Sequence, residues 1–449
     1  MSPALPQIDG LRPETLDAVI DSPTIAPDAP APLAPGAESL VAGRETFPRE
    51  GCGALVLGGA HGALGVVRSL GRHGIPAWFV TDDNMLAKFS RHAQAGLRWP
   101  GPNDAGAADW LLELARRHRL DGWVLMPCAD EEARLVSQHH EDLAAVFRLT
   151  TPPWDVMRWA YDKRRMNERA AFLGLDVPRS FCPGGGQDLA RLDLRFPVIL
   201  KPAVKQHGNA FTLAKAWRVD DRDALLARYD QALALVGEDA IVVQELIPGR
   251  GDAQFSYAAV WQRGRPIGSL VARRARQYPI DFGYTSTFVE TIERQEVEAL
   301  ACRFLTSLDY DGMVEVEFKY DARDRRYKLL DVNARAWTWI SLGRKAGVDF
   351  PHLLWRLALG ETVPPARGRP GAAWMHASRD VVAACQEMAA GHLSPKDYLA
   401  SLRAPIEFAA FAADDPLPGM LDLPLVLARF LRRRLPDSLR RMTGGGQSH

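Results

Sequence analysis

Between Gly312 and Arg335 the chain reads Gly-Met-Val-Glu-Val-Glu-Phe-Lys-Tyr-Asp, a short polar link, then Tyr-Lys-Leu-Leu-Asp-Val-Asn-Ala-Arg. Both halves alternate with period two, as half-buried strands do. Val314, Val316 and Phe318 share one face of the first strand, and Glu315 and Glu317 the other. In the second, Leu330 and Val332 share a face, with Asp331, Asn333 and Arg335 opposite. The link Ala322–Arg326 is short enough for a hairpin loop. A register symmetric about Asp324 sets Glu317 across from Asp331 and Glu315 across from Asn333. Opposed side chains sit roughly 4.5–5.5 Å apart at Cβ, where like charges repel. Something positive is therefore expected between them. Carboxylates with an amide oxygen suit a hard cation such as Mg²⁺, which takes its remaining ligands from water and substrate phosphates.

At 449 residues the chain is too long for one core, and two to four domains are expected. Lys+Arg and Asp+Glu both number 55, so no global basic field recruits nucleic acid. The five cysteines are scattered without CxxC spacing, which points to reduced thiols and a cytoplasmic setting rather than a zinc or disulfide framework. No apolar run in the sequence approaches a membrane span, and no signal-peptide pattern opens it. Only nine of the basic residues are lysines, so each retained lysine is a candidate for a role that needs a compact ammonium.

Residues 1–50 are rich in Pro and Ala and lack an apolar period, and read as a disordered extension. A βα alternation occupies 51–155. It opens at Ala54-Leu-Val-Leu with the glycine-rich turn Gly58–Gly65, as a Rossmann-like crossover does. One helix carrying Tyr161-Asp162-Lys163 opens a small α+β unit over 156–248. Its strand Phe196–Pro202 ends at Lys201, and its strand Ala240–Ile247 stops at Pro248-Gly249. Antiparallel strands dominate 249–365, and helices are expected over 366–449.

Lys163, Lys201, the Gln244–Gly249 turn and the Glu317/Asp331/Asn333 group, in that order, resemble the ATP-grasp superfamily of carboxylate–amine ligases. The resemblance implies an α/β and α+β chain: an ATP-grasp fold behind an N-terminal Rossmann-like domain, with a helical C-terminal extension. It implies ATP, with two Mg²⁺ ions (or Mn²⁺) on Glu317, Asp331 and Asn333, and phosphate contacts from Lys163 and Lys201. Gln244, Glu245 and Ile247 fall where the family holds the base, and Asp252 where it holds the ribose. Arg335 stands where relatives read Asn-Pro-Arg, placed to bridge the γ-phosphate and an acyl-phosphate oxyanion. The departures are Asn-Ala-Arg in that motif and a single glycine in Val204–Asn209, where relatives carry a glycine-rich lid.

The implied reaction activates a small carboxylate, such as an amino acid, as an acyl phosphate and joins it to an amine, releasing ADP and phosphate. Arg274, Arg276 and Ser286, in the stretch Arg273–Ser286, are the candidates for the carboxylate substrate. This stretch resembles that of D-aspartate ligases. A homodimer is a further expectation, and the basic segment Leu421–Leu435 raises contact with an anionic membrane surface as a lesser one. Two rival readings are a nicotinamide-dependent oxidoreductase built on Gly58–Gly65 and a non-catalytic ATP sensor.

Overall fold

The computed structural model describes residues 51–183, 186–202, 211, 216–237, 241–280 and 285–434. The N-terminal extension, the Val204–Asn209 segment and residues 281–284 lie outside the described residues.

The first sheet is parallel, with β1 (Ala54–Leu57), β2 (Ala77–Thr81), β3 (Ala95–Arg98), β4 (Val124–Pro127) and β5 (Arg148–Leu149) in the order β3-β2-β1-β4-β5. Helices α1 (His61–Arg72), α2 (Ala107–His118), α3 (Asp130–Gln138) and α4 (His140–Ala144) connect its strands. Its central strands are buried on both faces, as parallel strands covered by crossover helices must be. The alternation read over 51–155 is therefore a Rossmann-like layer.

The stretch expected as one helix around Lys163 is two. Helix α5 (Trp154–Tyr161) stops at Asp162, whose backbone is extended, and α6 (Lys163–Phe172) begins immediately after. The Asp162 carboxylate accepts hydrogen bonds from the backbone N–H of Arg164 and Arg165, capping α6. The break puts Lys163 at the first position of a helix rather than within one.

Strands β6 (Ser180–Phe181), β7 (Val198–Pro202), β8 (Trp217–Val219) and β9 (Ile241–Glu245) form a small antiparallel sheet in the order β6-β9-β7-β8. Helices α7 (Gly186–Arg191) and α8 (Arg222–Val236) accompany it, and Leu225, Tyr229 and Ala232 of α8 pack with Val198, Leu200 and Val243 of the strands.

The largest sheet contains β10 (Gln254–Gln262), β11 (Arg265–Tyr278), β12 (Thr285–Ile292), β13 (Gly312–Asp321) and β14 (Arg326–Asn333), with α9 (Gln295–Thr306) between β12 and β13. After α10 (Leu342–Ala346) and α11 (Phe350–Ala358) come three short strands, β15 (Ala366–Arg367), β16 (Ala373–Met375) and β17 (Ile406–Phe408). The strand order is β14-β13-β10-β11-β12-β16-β17, with β15 beside β11. The C-terminal part thus supplies sheet edge as well as the helices α12 (Ala377–Ala389), α13 (Pro395–Ser401) and α14 (Leu417–Arg434).

The two faces of this sheet serve different cores. Tyr257, Ala259, Val314, Val316 and Phe318 pack with α5, α6 and α9. Ala258, Val260, Ala272 and Met313 pack with α1 and with the Trp337–Leu359 segment. On this second face β13 changes from Met313 to Glu315, Glu317 and Lys319, and β10 from Val260 and Ala258 to Ser256 and Gln254. The apolar core therefore gives way along the strands to a polar surface, and the site lies there.

Candidate active site

The β13–β14 register pairs Glu317 with Asp331 and Glu315 with Asn333, as the sequence pattern predicts. A bulge follows Glu317, so that Phe318 faces Leu329. It corrects one assignment. Leu329 and Val332, rather than Leu330 and Val332, enter the core, because the extra residue at Leu330 reverses the alternation. The turn spans Ala322–Arg325, with Arg325 in the left-handed region (φ +56°).

The acids are locked into a hydrogen-bonded cluster. Asn333 Nδ2 donates to Glu315 Oε2 (3.2 Å) and to Glu317 Oε1 (3.1 Å). Ser256 Oγ donates to Glu315 Oε1 at 2.9 Å, and Gln254 Nε2 donates to Glu317 Oε2. Lys163 Nζ reaches Asp331 Oδ2 at 2.9 Å, placing the first residue of α6 against the second strand of the hairpin. Arg274 approaches Glu317 at 3.4 Å, while its Nε is buried without a hydrogen-bond partner among the described residues.

Burial, and then the neighbouring Glu317 charge, pushes Glu315 up to about 8. Burial pushes Asp331 in the same direction, but the Lys163 ammonium and its hydrogen bond outweigh that and hold it below the usual carboxylate range. The Asp331 charge raises Lys163 in return. Glu315 is buried beside Glu317 and Asn333 and accepts a hydrogen bond at each of its oxygens.

Arg335 is held from two sides. Its Nε and NH2 donate to Asp130 (2.9 and 3.3 Å), NH2 donates to Asn333 Oδ1 (3.0 Å), and NH1 donates to the Ala336 carbonyl. Of its five N–H groups these bonds leave one on NH1. Asp130 opens α3 directly after β4, at the carboxyl edge of the parallel sheet, where ligand-facing loops of such sheets gather. Sequence reading missed Asp130, although the acidic run Asp130-Glu131-Glu132 at a strand end was the available signal. It also missed Gln254 and Ser256, whose roles depend on which strand lies beside β13.

The other expected residues fall into two groups. Lys201, next to last in β7, donates to Gln244 Oε1 at 2.6 Å, and Gln244 Nε2 donates to Ser180 Oγ. Glu245 is buried and accepts from Arg323 (2.7 Å) and Lys328 (3.0 Å), both of which also reach Asp321. This brace joins the small sheet to the hairpin turn and commits the Glu245 side chain, and the Glu245 backbone N–H donates to the Arg179 carbonyl at 2.8 Å. Ile247 is buried beyond it, and Asp252 is exposed in a 3-10 turn, close enough to act on the Lys319 ammonium. Burial, and next the Arg274 charge, pushes Lys319 down to about 8.

Arg274 and Arg276 do not share a face. The β11–β12 register shifts between them, and the bulge turns Arg276 away from the acid cluster. Arg276 makes a buried bidentate pair with Asp380 of α12 (2.9 and 2.8 Å), bonds Ser401, and lies over the Phe288 ring at 4.1 Å. Its role is to hold α12 on the sheet, which corrects its assignment to a substrate. Ser286 is buried on β12 opposite Gln277.

The glycine turn is filled by the chain itself. A Cβ at Gly59 would sit 1.8 Å from the Asn84 carbonyl oxygen, and one at Gly62 would sit 3.1 Å from that of Trp337. Gly62 lets α1 pack against the loop after Arg335 and Gly59 lets the turn pack against the Asn84 backbone, so close packing accounts for them without a dinucleotide.

Residues 283–365 match the family described as carbamoyl-phosphate synthase L chain, ATP binding domain. The D-aspartate ligase of Enterococcus faecium (strain Aus0004) is 23% identical over 247 residues, 50% of this chain and 56% of that protein. The chain thus spans little more than half the length of this curated relative. The biotin carboxylase domain of Hydrogenobacter thermophilus 2-oxoglutarate carboxylase, solved with MgADP and bicarbonate, superposes with a TM-score of 0.55. It is 15% identical, over 71% of this chain and 73% of that one. The chain has the ATP-grasp fold. The L-amino acid ligase of Bacillus licheniformis shares the ATP-grasp fold at a TM-score of 0.51 and 17% identity, over 72% of this chain and 78% of that one. Among the described residues, no helix is long and apolar enough to cross a membrane.

Proposed function

We propose that this protein is a Mg-ATP-dependent carboxylate–amine ligase that activates a small carboxylate, an amino acid or a compound like it, and joins it to an amine. The observation that carries this reading is the convergence of Lys163, Arg335 and Arg274 on the Glu317/Asp331/Asn333 hairpin. Opposed acids ringed by three cations are what polyphosphate chemistry requires. Charge must be neutralised on the transferred group while the acids keep a metal in place.

The donor set fits Mg²⁺: two carboxylates and an amide oxygen, with a third carboxyl, Glu315, behind them. Bound there, Mg²⁺ supplies neutralisation of the phosphate oxygens. The chain's own residues do the rest. Lys163 offers the triphosphate an ammonium from the start of α6, and Lys201 another from the end of β7. The backbone from Gln244 to Ile247 lines the base and Asp252 meets the ribose. Arg335, fixed by Asp130 and Asn333, directs its remaining N–H at the oxygen where charge develops. Arg274, with its unpaired Nε, orients the carboxylate that attacks the γ-phosphorus. The acyl phosphate so formed is attacked by the amine, giving an amide, with ADP and phosphate released.

The test is a screen of amino acids and small carboxylates, each paired with amines, scored by ADP release and by hydroxylamine trapping of the acyl phosphate. The reading predicts hydroxamate that needs ATP, Mg²⁺ and one acid. ATP turnover independent of every carboxylate, with no hydroxamate formed, would refute it.

A further inference from the structure

His61, His376 and Asp422 come from three distant parts of the sequence and meet in the interior. They are 7%, 2% and 6% exposed. His61 is the first residue of α1, in the glycine turn that the nucleotide site leaves unused. His376 directly precedes α12, and Asp422 lies on α14. His61 Nε2 lies 2.9 Å from Asp422 Oδ1, and His376 Nε2 lies 3.7 Å from Asp422 Oδ2. The two rings are 4.6 Å apart at their centroids and tilted by 51°, so they are not stacked. Each presents a nitrogen to one oxygen of the same carboxylate.

A hydrogen-bonded His61–Asp422 pair accounts for only half of this cluster. His376 Nε2 is buried and has no hydrogen-bond partner among the described residues. Leaving such a group buried and unsatisfied is unfavourable, so the arrangement calls for a partner. His376 Nδ1 lies 3.3 Å from Ser378 Oγ, a contact that fixes the ring and directs the other nitrogen inward, as outer partners of metal-bound histidines do. Arg379, the nearby cation, is only half-buried on α12.

We propose that His61, His376 and Asp422 form a binding site for a divalent transition metal, Zn²⁺ in the first instance, that staples α14 and the start of α12 to the Rossmann-like layer. Two imidazoles and a carboxylate are borderline ligands that favour Zn²⁺ over Mg²⁺ or Ca²⁺. Their donor atoms all lie within 4.8 Å of one another. Tetrahedral Zn²⁺ with bonds of about 2.0–2.1 Å needs ligand separations of about 3.3 Å. The 2.9 and 3.7 Å contacts bracket that value. The set carries one net negative charge against the ion's two positive ones, and a fourth position is left for water. Four residues beyond His376, Asp380 holds Arg276 on β11, the strand that also carries Arg274, so the staple anchors the helix that braces that strand.

The test uses the full chain, stripped with a chelator and titrated with Zn²⁺ alone against a competing metallochromic dye, and with Co²⁺ for its visible spectrum. One equivalent of Zn²⁺ with sub-micromolar affinity is expected. A few degrees' rise in the thermal midpoint should accompany it, and the Co²⁺ adduct should show tetrahedral-type absorption. His376→Gln and Asp422→Asn should each weaken binding at least tenfold, with circular dichroism and gel filtration used to confirm folding. Asp331→Asn, in the proposed nucleotide site, should leave Zn²⁺ binding unchanged. No uptake by the wild-type chain at 10-fold excess over about 10 μM protein would overturn the proposal, and needs no variant to fold. Equal uptake by well-folded His376→Gln would do the same.

Discussion

Asp321 is the centre of the brace between the small sheet and the hairpin, and replacing it by Asn removes its charge while keeping its shape. The carboxylate is fully buried. It accepts from Arg323 Nε (2.9 Å), NH2 (2.7 Å) and backbone N–H (3.0 Å), and lies 3.0 Å from Lys328 Nζ. Without it Arg323 and Lys328 share the buried Glu245, helped only by the partly exposed Asp324 at 3.1 Å from Lys328. Removing one partner of a buried ion pair costs about 3–5 kcal/mol, because a charge is left uncompensated. Asp321→Asn should therefore lose about 3 kcal/mol or more in urea unfolding at pH 7. Asp324→Asn, on the exposed rim, should lose far less than Asp321→Asn. The Arg323 hydrogen bond, opposed by burial, holds Asp321 well below the usual carboxylate range. A depressed value contributes stability above the unfolded value of 3.8 that is lost as pH falls through the folded one, so the difference between wild type and variant should shrink below pH 3.8. Since Glu245 adjoins Gln244, which holds Lys201, KM for ATP should rise as well. A loss below 1 kcal/mol at pH 7, or a difference that does not change between pH 7 and pH 3, would refute this account of the brace.

Three further outcomes follow from the same geometry. Arg274→Ala should raise KM for the carboxylate substrate with little effect on stability, whereas Arg276→Ala should cost about 3 kcal/mol in unfolding, since it strands the buried Asp380; steady-state kinetics beside urea curves separate the two. Arg335→Lys should lower kcat about 100-fold by removing a positioned donor, and Asp130→Asn should lower it less while ATP binding persists; stopped-flow phosphate release reads both. Burial, opposed by its own backbone hydrogen bond and reinforced by the Asp82 and Asp130 charges, pushes Glu132 up to about 7 from 4.5. Folding thus takes up a proton there between pH 4.5 and about 7, and stability falls as pH rises through that window, by at most about 1.4 kcal/mol per unit. Glu132→Gln should remove this slope and be the more stable form at pH 8 in urea titrations.

The pairing of Glu317 with Asp331 was legible in the sequence because alternation and a short link leave few registers for a hairpin. Bulges were not legible. The one at Leu330 leaves the acid pair intact and changes only which leucine enters the core. The one between Arg274 and Arg276 turns two arginines at strand spacing onto opposite faces, so period-two reasoning assigns both to one role when only Arg274 stays on the face that carries Glu317. The helix break at Asp162 was readable in principle, since aspartate before Lys-Arg-Arg is a good N-cap. Asp130, Gln254 and Ser256 escaped because their importance comes from neighbours more than 50 residues away, and local pattern holds no information about such contacts. The His61 cluster escaped for the same reason. Its members are separated by more than 300 residues at the ends and only the fold brings them together.

The account rests on a metal held with nucleotide by Glu317, Asp331 and Asn333, and Mn²⁺ tests it most directly. Free Mn²⁺ is followed by its paramagnetic resonance signal as it is titrated into the protein with a non-hydrolysable ATP analogue. The account predicts saturable, nucleotide-dependent Mn²⁺ binding by the wild-type chain, weakened at least tenfold by Asp331→Asn and by Asn333→Ala, with circular dichroism unchanged. Equal Mn²⁺ affinity and stoichiometry in wild type and both variants would contradict it.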